Sequence, residues 1–70
     1  METLDFNRLK ELRLKSGVMA QDVAKYAGIN RTSLWRYENG IEMPRTDILC
    51  KILNCYHETT KDVFRTVNIL

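Results

Sequence analysis

Proline occurs once and glycine three times in seventy residues; cysteine occurs twice, and histidine and tryptophan once each. With so few backbone breakers the chain has room for regular segments, and Gly17, Gly28, Gly40 and Pro44 mark where they end. Two cysteines and the lone His57 are too few for a zinc cluster. Cys50 and Cys55 stand five apart in a helical stretch and point in different directions around it, which is poor geometry for a disulfide. They are expected to be buried free thiols that pack as small apolar side chains. No apolar run approaches the ~18 residues of a membrane span. The start, Met1-Glu2-Thr3-Leu4-Asp5, is acidic and lacks a secretory leader's basic opening and apolar stretch, so a cytoplasmic setting is expected. Nowhere do apolar and polar residues alternate through a β-branched run bounded by turns, so no strand is expected. Nucleophile–base pairs, metal clusters and phosphate-cradling glycine loops are absent too, and the expectation is a non-enzyme without metal or cofactor.

What is present suits one small domain spanning residues 1–70, with a core from about 6 to 64 and a tail from 65 to 70. A hydrophobic fraction of 44% with mixed charges supports a packed core and argues against disorder. A chain this short buries only ~60% of its unfolded surface, so modest stability is expected. The net charge of +2 is unevenly spread. Seven basic and two acidic residues lie from Arg8 to Arg36, against four basic and five acidic from Tyr37 onward. A basic half beside a neutral one suits a polyanion-binding face, or else an ordinary solvated set of helix charges.

The apolar spacing predicts an all-α fold of five helices. The first runs from about Phe6 to Ser16, capped by Asp5 and stopped at Gly17, with Phe6, Leu9, Leu12 and Arg13 on one face. A short second helix fits Ala20–Ala27, with Val23, Ala24 and Ala27 inward. After Gly28 and Ile29, Asn30 caps a third helix from Arg31 to about Asn39, whose inner residues are Leu34 and Tyr37. Gly40 closes it. Pro44 precedes a fourth, about Arg45 to Tyr56, in which Ile48, Leu49, Ile52 and Tyr56 are apolar. Thr59 and Asp62 have capping-box spacing and open a last short helix carrying Val63 and Phe64.

The informative segment is Ala20–Gly40. A turn of only Gly28-Ile29-Asn30 is too tight for antiparallel packing, so the two helices cross steeply, and Ala24 is small enough to let them approach. That is the helix-turn-helix unit, whose second helix presents a face to the DNA major groove. The outward residues of that helix are Arg31, Thr32, Ser33, Trp35 and Arg36. Arginine bonds bidentately to the O6 and N7 edge of guanine, and threonine offers a hydroxyl or meets a thymine methyl. No acid occurs from Arg31 to Tyr37 to repel phosphate. The competing reading is a polar helix face that touches nothing.

Residues 9–64 resemble the Cro- and lambda-repressor-like, or xenobiotic-response-element, helix-turn-helix family. The text that carries the resemblance is Leu-Lys-Glu-Leu-Arg (9–13), Gly17-Val18, Val23-Ala24, Gly28-Ile29-Asn30-Arg31-Thr32-Ser33-Leu34, Tyr37-Glu38-Asn39-Gly40 and Pro44. The resemblance implies a compact five-helix DNA-binding domain. It implies a largely buried ion pair between Arg13 and Glu38, base-edge contacts from Arg31, Thr32 and Arg36, and phosphate contacts from Ser33, Asn39 and the Gly40–Arg45 loop, Arg45 included. One departure stands out: where that family usually has Ser or Thr and then Gln at the start of the second helix, this chain has Met19 and Ala20, with Gln21 one place later. The helix therefore lacks a good cap, and Gln21 reaches any DNA backbone from a direction about 100° away. Trp35 is the second departure. It either lies against the sugar-phosphate backbone or a thymine methyl, or packs on Met19 or Met43.

These readings converge on sequence-specific duplex DNA binding by a small transcriptional regulator. A domain with one recognition helix gains affinity as a two-fold dimer on a palindromic operator, so a homodimer is expected on DNA. The tail residues Val67, Ile69 and Leu70 either form that dimer contact or cover the domain's own core. The alternative function is a protein-interaction or antitoxin-like adaptor on the same fold with weak or no DNA affinity.

Overall fold

A computed structural model describes residues 2–58 and 63–66. Among them are four helices and a two-stranded ribbon: β1 (Glu2–Leu4), α1 (Phe6–Ser16), α2 (Ala20–Ala27), α3 (Arg31–Glu38), α4 (Thr46–Asn54) and β2 (Phe64–Thr66). The local chemistry of the helix ends explains the boundaries. Asp5 Oδ1 accepts from the Arg8 amide at 3.2 Å, which satisfies one of the orphan donors of the first turn of α1. Asn30 does the same for α3, accepting from the Ser33 amide at 2.7 Å. Met19 precedes α2 with no side-chain capping bond. Gly28 ends α2 in the left-handed region at φ 73°, and the next amide, that of Ile29, donates to Ala24 O at 2.9 Å.

The inward faces of the four helices form one core. Leu9 and Leu12 of α1, Val23 and Ala27 of α2, Leu34 and Tyr37 of α3, and Leu49, Ile52 and Leu53 of α4 are buried together, with Tyr56 just beyond α4. Half-buried Phe6, Ile29 and Ile48 pack against this cluster. The expected α1, α2 and α3 faces are those observed, and Leu53 joins the expected α4 stripe.

Two expectations are corrected. The chain is helical in its body but not throughout, and no fifth helix carries Val63 and Phe64. Val63 lies in a turn with its side chain buried, and Phe64–Thr66 pairs antiparallel with Glu2–Leu4 in the register Leu4↔Phe64 and Glu2↔Thr66. The ribbon continues into the Asp5 amide, which donates to Val63 O at 2.6 Å. Val63, Phe64 and Thr66 are β-branched or aromatic and favour extended backbone, and a short helix has too few bonds to outweigh its nucleation cost. The proposed cap Thr59–Asp62 and the tail residues Val67, Ile69 and Leu70 lie outside the described residues. The thiols are the second correction: Cys50 is exposed and Cys55 half-buried, both free. The buried stripe of α4 runs through Leu49, Ile52 and Leu53, so Cys50, one position past Leu49, is turned about 100° away from it.

Two glycines separate backbone strain from crowding. A Cβ on Gly28 meets nothing within 4 Å, whereas one on Gly40 (φ 71°) lies 3.0 Å from Phe6 Cδ2. Gly28→Ala should therefore lower stability by ~1–2 kcal/mol through its positive φ alone. Gly40→Ala carries the same backbone cost plus displacement of the Phe6 ring, so it should show the lower urea midpoint of the two. Equal midpoints would mean that the ring moves freely.

Candidate nucleic-acid interface

The orientation of α3 depends on its last residue. Glu38 is buried, 6% exposed, at the helix C-terminus, where the helix dipole is itself negative. A desolvated carboxylate in that position needs a cation, and α1 supplies it. Arg13 Nε donates to Glu38 Oε2 at 2.8 Å and Nη2 donates to Oε1 at 3.0 Å, a two-pronged pairing of guanidinium and carboxylate. The bond to Glu38 raises the Arg13 pKa, against an opposing effect of burial. Arg8–Glu11, the neighbouring pair on α1, is solvent-exposed and joins residues within one helix, so it contributes little.

Tyr56 approaches this pair from the end of α4. Its ring is buried, and its hydroxyl is enclosed without a hydrogen-bond partner among the described residues. Burial pushes its pKa well up, the Glu38 charge pushes it further, and Arg13 partly offsets them. Reading the sequence places Tyr56 in the core but gives no sign that its phenol feels the charges of Arg13 and Glu38, because the three residues are far apart in the chain.

The outer face of α3 is defined by what the core takes. At about 100° per residue, Arg31, Trp35, Thr32 and Arg36 follow one another around an arc of about 140°. All four are exposed, while Leu34, Tyr37 and Glu38 are buried in the remaining arc and Ser33 is half-buried at its margin. Gln21, on the first turn of α2, and Asn39, after α3, are exposed as well. The Asn39 amide donates to Trp35 O at 2.8 Å, so the side chain also finishes the end of α3. Arg45 projects into solvent, its side chain 85% exposed, 3.6 Å from Asp47. Trp35 is 56% exposed. An open groove of about 430 Å³ runs beside it, lined by Arg13, Ala20, Arg31, Thr32, Leu34, Trp35 and Glu38. Ala20 forms part of its wall, a role that a small residue at a helix start does not announce in sequence. Among the described residues no group of His, Cys, Asp and Glu is placed to hold a metal ion, and no helix is long and apolar enough to cross a membrane.

Two eight-residue helices joined by Gly28-Ile29-Asn30, the second exposing a basic arc, define a helix-turn-helix unit. Residues 7–63 match the helix-turn-helix domain family, and the chain belongs to it. It is similar to an HTH-type transcriptional regulatory protein of Pyrococcus abyssi, 31% identical over 67 residues that make up 96% of this chain and 20% of that protein. A protein of Pyrococcus furiosus with the same description is 34% identical over 55 residues, 79% of this chain and 18% of its own length. The chain thus spans about a fifth of the length of these relatives.

Removing one member of the ion pair should be worse than removing both. Glu38→Ala leaves Arg13 largely desolvated without its carboxylate and should cost ~3 kcal/mol. The double variant Arg13→Met/Glu38→Leu should lose clearly less in urea denaturation. Equal losses for the two would argue against a stabilising role for the pairing.

Tyr56 supplies a pH dependence. Because its folded-state pKa is raised, its contribution is complete below about pH 10, the usual tyrosine value, and is lost as pH rises beyond that. Tyr56→Phe removes a hydroxyl without a partner, so at pH 7 it should be at least as stable as the parent. It should also lose stability less steeply above pH 10. An unchanged alkaline slope would mean that the phenol ionises as readily in the folded chain as in the unfolded one.

Proposed function

We propose that this chain binds duplex DNA in a sequence-specific manner as a small cytoplasmic transcriptional regulator, and catalyses no chemistry. The observation that carries this reading is the exposed arc of α3, where Arg31, Thr32 and Arg36 stand clear of the core on a helix held by a buried ion pair. Arg31 and Arg36 match the guanine edge in the major groove, and Thr32 matches a base edge or a thymine methyl. Gln21, Ser33, Asn39 and Arg45, three of them exposed and Ser33 half-buried, serve in this reading as the phosphate contacts that fix the register of the helix on the duplex. The names of the two Pyrococcus proteins and the domain family support a regulator, and the +2 net charge supports modest electrostatic attraction.

One short helix reads only a few base pairs. The proposal therefore includes a homodimer, of Cro- and lambda-repressor-like type, on a palindromic operator, with the two recognition helices ~34–36 Å apart along the duplex. Sedimentation on a selected palindrome against a single half-site tests it, and unit-mass complexes on both would remove the dimer from the reading.

A second reading is carried by the exposed apolar side chains Met19, Trp35, Ile41 and Met43, one within α3 and the others in the segments before α2 and after α3. Exposed apolar side chains of this number suit a protein partner, with the fold serving as an adaptor or antitoxin-like module. Titration with random and selected duplexes in moderate salt separates the two, since an adaptor shows no sequence preference.

Within the DNA reading, Arg36→Ala should relax preference at one base pair per half-site, worth ~1–3 kcal/mol. Arg45→Ala should weaken binding to all sequences alike and reduce its salt dependence. A selected motif that survives Arg36→Ala unchanged would assign the reading to another residue.

A further inference from the structure

We propose that the groove between Trp35 and Ala20 receives the C5-methyl group of a pyrimidine base, which makes Trp35 a specificity-determining residue. The inference rests on the DNA-binding reading and deepens it. Trp35 lies inside the exposed arc of α3, between Arg31 and Thr32, and not at its margin. Any duplex edge that meets those two polar residues meets the indole as well. The indole is 56% exposed, and Ala20 and Leu34 give the groove beside it further apolar lining.

The groove is mixed: Arg13, Arg31, Thr32 and Glu38 line it beside Ala20, Leu34 and Trp35, and the indole is the broad apolar face within it. Among the groups that the four base pairs present in the major groove, the C5-methyl of thymine is the apolar one; the others donate or accept hydrogen bonds. 5-Methylcytosine carries the same group at the same ring position. A phosphate gains little from the broad apolar face of the indole, whereas a methyl group laid against it takes apolar area on both sides out of water. The groove volume of about 430 Å³ admits the edge of a pyrimidine together with its methyl group.

The test uses duplexes selected from random DNA with the full chain. Each thymine of the selected half-site is replaced singly by deoxyuridine, which removes the methyl and leaves every hydrogen-bonding group in place. The expected result is one position at which affinity falls about fourfold, the magnitude of one buried methyl group. At that position Trp35→Ala should bind thymine and uracil equally, and Trp35→Phe should retain part of the difference. Circular dichroism and the urea midpoint of Trp35→Ala should match the parent, since the side chain is exposed. Where the selected position is a cytosine, C5-methylation should tighten binding by a similar factor, which identifies 5-methylcytosine as the source. Insensitivity to every deoxyuridine and to cytosine methylation overturns the proposal while leaving DNA binding intact. A methyl effect that persists in Trp35→Ala overturns it by assigning the contact elsewhere. A selection that enriches no sequence overturns the DNA-binding reading, and this inference falls with it.

Discussion

The geometry of the exposed face depends on the pairing of Arg13 with Glu38. A carboxylate that is 6% exposed at the end of a short helix is tolerable only with a cation matched to both of its oxygens, and Arg13 supplies bonds of 2.8 and 3.0 Å. Because the two prongs lie in one plane, they fix direction as well as distance between α1 and α3. The eight residues of α3 are too few for an independent helix, so its position is inherited from its contacts. Leu34 and Tyr37 supply apolar burial, which is not directional; the ion pair supplies the angle.

From that constraint follows a division of labour around α3. Buried residues occupy about three-fifths of its circumference, and the exposed remainder holds two arginines, a threonine and a tryptophan. Two features lie next to this face that simple charge counting does not register. One is the short side chain of Ala20, which leaves a groove beside Trp35. The other is the buried phenol of Tyr56, whose pKa burial and the Glu38 charge both push up.

Much of the helical body is legible in the sequence because its signals are local. Asp5, Gly17, Gly28 and Asn30 each act within one turn of the boundary they set: α1 begins and ends, α2 ends and α3 begins where those residues place them. The inward residues of α2 and α3 follow from a period of 3.6. The ribbon is illegible for the opposite reason. Glu2–Leu4 carries no pattern of its own, and its partner is some sixty positions away, so the weak extended preference around Phe64 has no visible partner in the sequence. Cys50 and Cys55 show a related failure: composition says that cysteine is often buried, but the azimuth of each residue on α4 decides, and Cys50 falls on the outer side. For the candidate site, the residue types on α3 are readable and their exposure follows from helical phase. The groove is not readable, because its walls belong to three helices.

The ribbon also affects the order in which the chain folds. Each helix closes contacts over a few residues, whereas the Leu4↔Phe64 pairing closes a loop of roughly sixty, at a chain-entropy cost that only the finished core can offset. Local contacts form on the microsecond scale and long closures follow them. The strands therefore zip last and open first. Opening would uncover buried Leu4 and Val63, and with Leu4 the cavity that it lines together with Glu38 and Asn39. In hydrogen exchange this means two classes of amide: those of β1, together with the Asp5 N–H, exchange through a partial opening, and those at the centres of α1 and α4 exchange only through global unfolding.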